Sequence, residues 1–261
     1  MLPANLYLAE VMHNRVTYVG HATVLLELDG VRLLTDPLLR NRAFYLHRRS
    51  QPVSPSSYQD IDLTLISHLH LDHLDIPSLR MLGADTRLVV PHGAANLLHK
   101  KGFNNVMEMQ PGDGTKVGAL SIKATHAEHH SLYPPFGPTT DCLGFLIEGS
   151  QSVYFPGDTD LFPGMADLPD DLDVALLPIW GWGPNLGPGH MNPQRAAEAL
   201  KLLHPRIAIP IHWGTFYPRG LGWLRPYLMV EPPQLFQQAA SKLMPQVEIH
   251  ILVPGSSLII S

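Results

Sequence analysis

The sequence has little of what marks secreted, nucleic-acid-binding or membrane-spanning proteins. Its 261 residues include one cysteine, Cys142, which excludes an internal disulfide and a cysteine-based zinc finger. The 18 Lys and Arg are outnumbered by 23 Asp and Glu, and the net charge of −5 argues against a general nucleic-acid binder. The amino-terminal segment carries Glu10 and no long apolar core, and no apolar run approaches the about 18 residues of a transmembrane helix. We therefore expect a cytoplasmic protein without a signal peptide or a membrane-spanning segment.

Two further absences bear on organisation and on chemistry. No linker-like Gly/Ser or charged run divides the chain, so we expect residues 1–261 to form a single domain. No Gly-x-Ser-x-Gly elbow is present, so a serine nucleophile is not expected. Histidine, by contrast, is abundant, with 15 residues, and it is the commonest metal ligand in proteins.

The hydrophobic pattern predicts strands that alternate with helices, which is typical of a layered α/β fold. Asp29-Gly30 lies between two apolar β-type runs and predicts a two-residue hairpin. The predicted elements that matter below are the strands Thr23–Leu28 and Val31–Thr35, a loop over Asp36–Pro55, a short helix capped by Asp75, a helix between Asn192-Pro193 and His204-Pro205, a helix over Pro232–Met244 and a strand over Val247–Val253.

The most informative segment is an apolar strand, Leu63–Ser67, that continues directly into a His-x-His-x-Asp-His motif. Residues two apart at the end of a strand point the same way, so His68 and His70 can face one metal ion. The chain then turns, so that Asp72 and His73 can face a second ion nearby.

Further candidate ligands follow three later β-type runs, and ligands gather where strand ends converge in layered α/β folds. Together with the first motif they complete a set of ligands for two metal ions. From the residues alone, the choice among the three neighbouring histidines stays open. The candidates are His126, His129 and His130 after one run, Asp158 after the next, and His212 after the last.

At this point the sequence resembles the metallo-β-lactamase-fold hydrolases over nearly its whole length. Within them it is most similar to the branch that contains N-acylphosphatidylethanolamine-hydrolysing phospholipase D and L-ascorbate-6-phosphate lactonase. The segments that carry the resemblance are Val19-Gly-His21-Ala-Thr, Leu34-Thr-Asp36-Pro37, Ser67-His-Leu-His-Leu-Asp-His-Leu-Asp75, Ala127-Glu-His129-His-Ser131, Gly157-Asp158-Thr159, His190-Met-Asn-Pro193 and Pro210-Ile-His212-Trp-Gly-Thr-Phe216.

The resemblance implies an α/β fold of the four-layer αββα type, with the metal site at one edge. It favours His129 over its two neighbours, because the frame Thr-x-Ala-x-His-x-Ser matches the branch. The ligands it implies are His68, His70 and His129 for a first ion, Asp72, His73 and His212 for a second, and Asp158 as a bridge between them.

Other residues are placed near the ions by the same resemblance. Asp36 is expected to accept a hydrogen bond from a ligand histidine and so to orient it. His21 and His190 are expected beside the ions as a proton donor, a substrate contact or a structural histidine. The candidate catalytic residues are therefore His21, His190 and the two ligand carboxylates, Asp72 and Asp158.

The expected cofactors are two divalent metal ions per chain. Neutral imidazoles favour zinc, with manganese or iron as alternatives, and His70 stands where diiron flavoproteins of this fold carry Glu. Two such ions ~3.5–4 Å apart hold a bridging water and lower its pKa toward ~7. The resulting hydroxide would attack a carbonyl carbon or a phosphorus atom.

The substrate is the least specified part of this interpretation. A small-molecule or lipid-like phosphodiester is the leading expectation, and a lactone or an amide is the alternative. A nuclease and a non-catalytic metal-binding protein also stay open, as does a homo-oligomer. The residues concerned are Trp180, Trp182, Phe216 and Tyr217, which could line an apolar pocket, and Arg40, Arg42, Arg48 and Arg49, which could bind phosphate.

Overall fold

The computed structural model describes residues 13–135, 137–181, 187–220 and 225–261. Within these residues β-strands account for more of the chain than helices do. In chain order the strands are β1 (Asn14–Gly20), β2 (Thr23–Leu28), β3 (Val31–Thr35), β4 (Arg42–Ala43), β5 (Leu46–Arg48), β6 (Leu63–Leu65), β7 (Leu88–Pro91), β8 (Val106–Met109), β9 (Gly114–Val117), β10 (Leu120–His126), β11 (Ser131–Leu132), β12 (Thr139–Thr140), β13 (Leu143–Glu148), β14 (Ser152–Phe155), β15 (Val174–Pro178), β16 (Ile207–Ile211), β17 (Phe216–Pro218), β18 (Glu248–Ile249) and β19 (Ser256–Ile260).

Helices connect the strands and are short. The α-helices are α1 (Ile76–Leu82), α2 (Ala95–Lys100), α3 (Pro193–Leu203) and α4 (Glu231–Leu243), and single 3₁₀ turns cover Pro55–Ser57, Pro163–Asp167 and Pro226–Met229. Local capping explains two of the starts. The Asp75 side chain accepts from the Ser78 amide before α1, and Asn192 accepts from the Arg195 amide before α3. No helix among the described residues is long and apolar enough to cross a membrane.

The strands form two mixed sheets that pack face to face. The first has the order β19-β1-β2-β3-β6-β7-β8, and the second has the order β18-β16-β15-β14-β13-β10-β9. In the first sheet β3, β6, β7 and β8 run parallel, and in the second β14, β15, β16 and β18 do. A main hydrophobic core joins the inner faces of both sheets, with Leu26 and Val89 on one side and Ile122 and Phe145 on the other.

Side chains that alternate along each strand separate this core from the helix layers. In β7, Val89 belongs to the core between the sheets, whereas Leu88 and Val90 pack with α1 and α2 on the outer face. The helices α3 and α4 contact each other and contribute Ala196 and Phe236 to the core on the side of the second sheet. The layers are therefore helix, sheet, sheet and helix, which confirms the predicted αββα sandwich.

Two segments differ from the sequence-based prediction. The segment Asp36–Pro55 was expected as a loop, yet it contains the β4–β5 hairpin, because β5 pairs with β17 from far along the chain. The segment Val247–Val253 was expected as one strand, yet only Glu248–Ile249 forms one, because the next donor on its partner strand would be Pro210, which has no N–H.

Candidate metal centre

The candidate residues meet where parallel strands of both sheets end. Asp36 follows β3 and the His68 motif follows β6 in the first sheet. Asp158 follows β14 and His212 follows β16 in the second. The sandwich thereby brings four distant sequence segments to one edge.

The first group consists of three histidines whose ring nitrogens converge. His70 Nδ1 lies 3.0 Å from His68 Nε2 and 3.2 Å from His129 Nε2. Nitrogens bound to one tetrahedral zinc ion at about 2.0–2.1 Å would be about 3.3 Å apart. This spacing fits three ligands that share an ion.

The second group faces the first and includes residues of both sheets. His73 Nε2 lies 3.2 Å from His212 Nε2 and 3.9 Å from Asp72 Oδ2. The ligand atoms of these residues and of His21 all lie within 4.8 Å of one another. This second set can therefore also surround one ion.

Asp158 lies between the two groups and is 4% exposed. Its Oδ2 is 3.2 Å from His73 Nε2, its Oδ1 is 3.2 Å from His212 Nε2, and it also groups with His129 and His190. Oδ1 makes no hydrogen bond of normal geometry within the described residues. A buried carboxylate oxygen without such a partner is costly, so a cation is the partner that suits it. The donor set fits metal ions, and this His/Asp cluster can bind them.

The nitrogens of the ligand rings that point away from the cluster donate to fixed acceptors. His212 Nδ1 donates to the Trp180 carbonyl at 2.7 Å, and His129 Nδ1 donates to the Gly189 carbonyl at 2.9 Å. Each donation leaves the Nε2 lone pair directed at the cluster, which is the tautomer a metal requires.

Asp36 orients two further histidines, one directly and one through Ser67. Its buried carboxylate accepts from His73 Nδ1 at 2.7 Å, and from the amide and hydroxyl of Ser67. The Ser67 oxygen in turn accepts from His68 Nδ1 at 2.9 Å. Ser67 was not among the predicted site residues, although its position directly before the first histidine of the motif was a usable signal.

Burial keeps several histidines of the cluster neutral near pH 7. It lowers the pKa of His129 to about 4 and the pKa of His212 to about 3, and it holds the pKa of His68 well below its usual value. A histidine binds metal through its neutral form, so these rings need not lose a proton first.

The carboxylates are held in their charged form. Burial raises the pKa of Asp158, but the adjacent His212 and His73 outweigh it and hold this pKa well below the usual range. Burial likewise lowers the pKa of His73, but the carboxylates of Asp158 and Asp72 outweigh it and raise the pKa well above its usual value. A cation would therefore meet the charged carboxylate of Asp158 and would take the place of the second ring proton of His73.

The structure also places the two neighbours of His129. His126 is exposed and lies 3.3 Å from the exposed carboxylate of Glu128. His130 is exposed as well. Among the described residues, the groups of ligand atoms that could hold a metal include His129 and neither of these two.

The aromatic residues expected to line a pocket lie behind the cluster. Trp180, Phe216 and Tyr217 are buried, which departs from an open pocket wall. The physical reason is the pairing of β17 with β5, which covers Phe216 and Tyr217 with the hairpin. Phe216 packs edge-on against the ring of His21. Trp182, the fourth expected pocket residue, lies outside the described residues.

The arginines expected to bind phosphate mostly hold the hairpin segment in place. Arg40 forms a two-pronged ion pair with Asp75, and Arg42 donates to the Phe44 carbonyl. Arg48 donates to main-chain carbonyls and lies over the Phe216 ring at 4.8 Å. Arg49 is exposed. The structure therefore gives these arginines little part in binding an anion at the cluster.

Comparison with known proteins gives the family of this chain. The family described as "Beta-lactamase superfamily domain" matches residues 31–213. The chain belongs to the beta-lactamase superfamily. It has the metallo-β-lactamase fold and is a metal-dependent hydrolase of that superfamily.

Similar proteins cover nearly the whole chain. A UPF0173 metal-dependent hydrolase of Methanopyrus kandleri is 34% identical over 251 residues, which are 93% of this chain and 98% of the relative. An N-acyl-phosphatidylethanolamine-hydrolyzing phospholipase D of Caenorhabditis elegans is 29% identical over 257 residues, covering 84% of this chain and 70% of that protein. Among solved structures, the metallo hydrolase Igni18 of Ignicoccus hospitalis is 27% identical, with a TM-score of 0.71, and the match covers 95% of this chain and 98% of that one.

Proposed function

We propose that this member of the beta-lactamase superfamily uses two metal ions to hydrolyse an ester-type bond, with phosphodiesters as the leading substrate class. The observation that carries the proposal is the position of Asp158 between two separate groups of ligand atoms. A single ion would need one group only. The proposed ligands are His68, His70 and His129 for one ion, Asp72, His73 and His212 for the other, and Asp158 for both.

Zinc is the ion that the donor set favours, because most of the donors are neutral imidazoles. Manganese and iron are the alternatives, since both accept nitrogen and oxygen ligands. Two such ions, when bound, lower the pKa of a water molecule and stabilise the negative charge that develops on the substrate.

The chain's own residues then orient the ligands and handle protons. Asp36 and the carbonyls of Trp180 and Gly189 hold ligand rings in one tautomer. We assign the leaving-group proton to His190, because its side chain is 23% exposed and its Nε2 lies 3.4 Å from Asp158 Oδ2. A substrate above the cluster can touch this ring.

Support for a phosphodiester comes from the similarity to a phospholipase D over 84% of this chain. A lactone or an amide would be attacked in the same way at carbon instead of phosphorus. The same substrate panel that tests the leading class therefore also tests these alternatives.

The experiment combines metal analysis with a panel of chromogenic substrates. We expect two ions per chain and turnover of bis(4-nitrophenyl) phosphate in the wild type, and loss of turnover in Asp158→Ala. Asp173→Ala is the matched control, because this carboxylate accepts hydrogen bonds from Ser152 instead of facing the histidines.

Each outcome of the panel decides one part of the proposal. Hydrolysis of lactones or amides alone would overturn the phosphodiester assignment. Full loading with two ions and no turnover of any substrate would identify a metal-binding protein without catalysis. Fewer than two ions per chain after metal supplementation would refute the two-ion proposal.

A further inference from the structure

His21 contacts the second ligand group from a part of the chain that supplies none of the proposed ligands. It lies between β1 and β2 of the first sheet and is 1% exposed. We infer that His21 is a positioning residue that holds the Asp72 carboxylate in place for the second metal ion. The inference rests on the proposed function, because it requires that this ion binds.

The main chain of His21 is attached to the opposite sheet. Its N–H donates to Thr215 Oγ1 at 2.8 Å, and its carbonyl accepts from the His212 N–H at 2.8 Å. Gly20 makes this approach possible, since it has a φ of +130° and a Cβ there would lie 2.8 Å from the Thr215 side chain. His21 and the ligand His212 are therefore fixed to each other through their backbones.

The ring of His21 has little freedom to turn. Its centroid lies 3.9 Å from that of the His212 ring, and the Phe216 ring packs against it edge-on at 5.8 Å. His21 itself has a φ of +59°, in the left-handed region, which is uncommon for residues other than glycine. These contacts aim Nε2 at Asp72.

The contact with Asp72 is a hydrogen bond of normal length. His21 Nε2 lies 3.0 Å from Asp72 Oδ2. Asp72 sits in the turn after β6, and its side chain is 21% exposed, so it is the least enclosed ligand carboxylate of the cluster. The main chain of His21 is held by two hydrogen bonds and its ring is buried. The ring can therefore fix the orientation of this partly exposed carboxylate.

A ligand role for His21 would fit the site less well. Its Nε2 does lie within 4.8 Å of the ligand atoms of Asp72, His73 and His212. Together with Asp158, His21 would bring the protein ligands of the second ion to five and fill even a five-coordinate shell. Donation to Asp72 instead keeps the protein ligands at four, so that an ion expanding to five-coordination has a position left for the substrate, as catalytic sites require.

The test compares two substitutions at His21 in the full-length, metal-loaded protein. The Nε2 of a glutamine can take the place of the ring Nε2, so His21→Gln keeps a donor to Asp72, whereas His21→Leu does not. Loss of an outer partner of a metal ligand typically weakens metal affinity 10–100-fold. We expect H21L to bind the second zinc ion 10–100-fold more weakly, and H21Q to bind it nearly as the wild type does.

The measurement is competition for zinc against a chromogenic chelator, with the visible spectrum of the cobalt-loaded protein as a second readout. His204→Leu is the matched control, because His204 also has a positive φ, of +44°, and lies at the end of α3 away from the cluster. It should leave zinc affinity and the cobalt spectrum unchanged. If H21L does not fold, H21N takes its place, because asparagine is too short to reach Asp72.

Three results would overturn the inference. Wild-type zinc affinity in H21L would show that Asp72 needs no partner. Equal losses in H21Q and H21L, with a changed cobalt spectrum in both, would make His21 a ligand. A wild-type protein without a second ion would refute the inference and the two-ion proposal together. Full loading without any turnover would refute the proposed hydrolysis alone, since the affinity readout does not depend on catalysis.

Discussion

Asp36→Asn is the substitution that best separates metal binding from folding. Three donors converge on the Asp36 carboxylate: the Ser67 amide at 2.7 Å, the Ser67 hydroxyl and His73 Nδ1 at 2.7 Å. Asparagine keeps one carbonyl oxygen but places an NH₂ group where the second oxygen was. That NH₂ group would face at least one of the three donors, and two donors cannot bond to each other.

This unfavourable contact between donors is expected to weaken metal binding by changing the protonation of His73. The ring can relieve it by moving its proton from Nδ1 to Nε2, but Nε2 is the atom that faces His212 and the cluster. We therefore expect D36N to bind the second ion 10–100-fold more weakly. This corresponds to about 1.4–2.7 kcal/mol of binding free energy.

Folding should respond less than metal binding does. Asp36 is fully buried, and burial raises its pKa, so the substitution also removes a carboxylate whose charge is costly to bury. In the metal-free protein this gain offsets part of the lost hydrogen bonding. We expect the free energy of unfolding of the metal-free protein to change by less than the free energy of metal binding.

The assay pairs zinc competition with denaturant unfolding of the metal-free protein. Asp173→Asn is the matched control, since Asp173 Oδ2 accepts from the amide of Ser152 at 2.8 Å and from its hydroxyl at 3.2 Å. It should leave metal affinity unchanged. Wild-type zinc affinity in D36N would refute the argument that Asp36 sets the tautomer of His73.

Two further predictions follow from single contacts, and a third from removal of the metal. Gly157→Ala should lower the free energy of unfolding by about 1–3 kcal/mol in a denaturant titration and weaken metal loading, because its Cβ would lie 2.5 Å from that of Ser67. Gly187→Ala, also at positive φ but with no described residue within 4 Å of its Cβ, should leave loading intact. Tyr18→Phe should cost about 1–3 kcal/mol of unfolding free energy without changing zinc affinity, because its buried hydroxyl donates to the Trp213 carbonyl at 2.6 Å. Chelation of the metal should lower the melting temperature, and restored metal at 100 times its Kd should return about 2.7 kcal/mol; an unchanged melting temperature would contradict binding to the folded state.

Local signals made parts of the fold predictable to the residue. The strands Thr23–Leu28 and Val31–Thr35 have the predicted bounds, because Asp29 and Gly30 both adopt the positive φ that their hairpin turn needs. The helix that ends at His204 was also predicted closely, since Asn192 caps its start. In each case the determining residues are adjacent in the chain.

Pairing between distant segments was not predictable in the same way. The β4–β5 hairpin exists because β5 meets β17, and Phe216 and Tyr217 are buried for the same reason. Neither strand has a strong pattern of its own, because each is only three residues long. The expectation that Phe216 and Tyr217 line an apolar pocket did not take this pairing into account.

The candidate site was predictable as a set of residues but not as a geometry. The spacing of His68 and His70 was enough to pair them, since both lie at one strand end. Spacing could not choose among His126, His129 and His130, because the chain leaves β10 at His126 and its later direction depends on tertiary contacts. Only the structure shows that the Gly189 carbonyl holds one of these rings toward the cluster.

Metal binding is coupled to the packing of the two sheets, because each proposed ligand set comes from both of them. Each proposed ion is held by side chains from both halves of the sandwich: His68 with His129, and His73 with His212. Separating the sheets would break both ligand sets, so the free energy of metal binding also stabilises the packing of one sheet on the other. Without a cation the buried Asp158 oxygen has no hydrogen-bond partner within the described residues, so the metal-free protein should open there first. Hydrogen exchange should therefore show metal-dependent protection at the ends of β6 and β16, and much less at the far ends of the same strands.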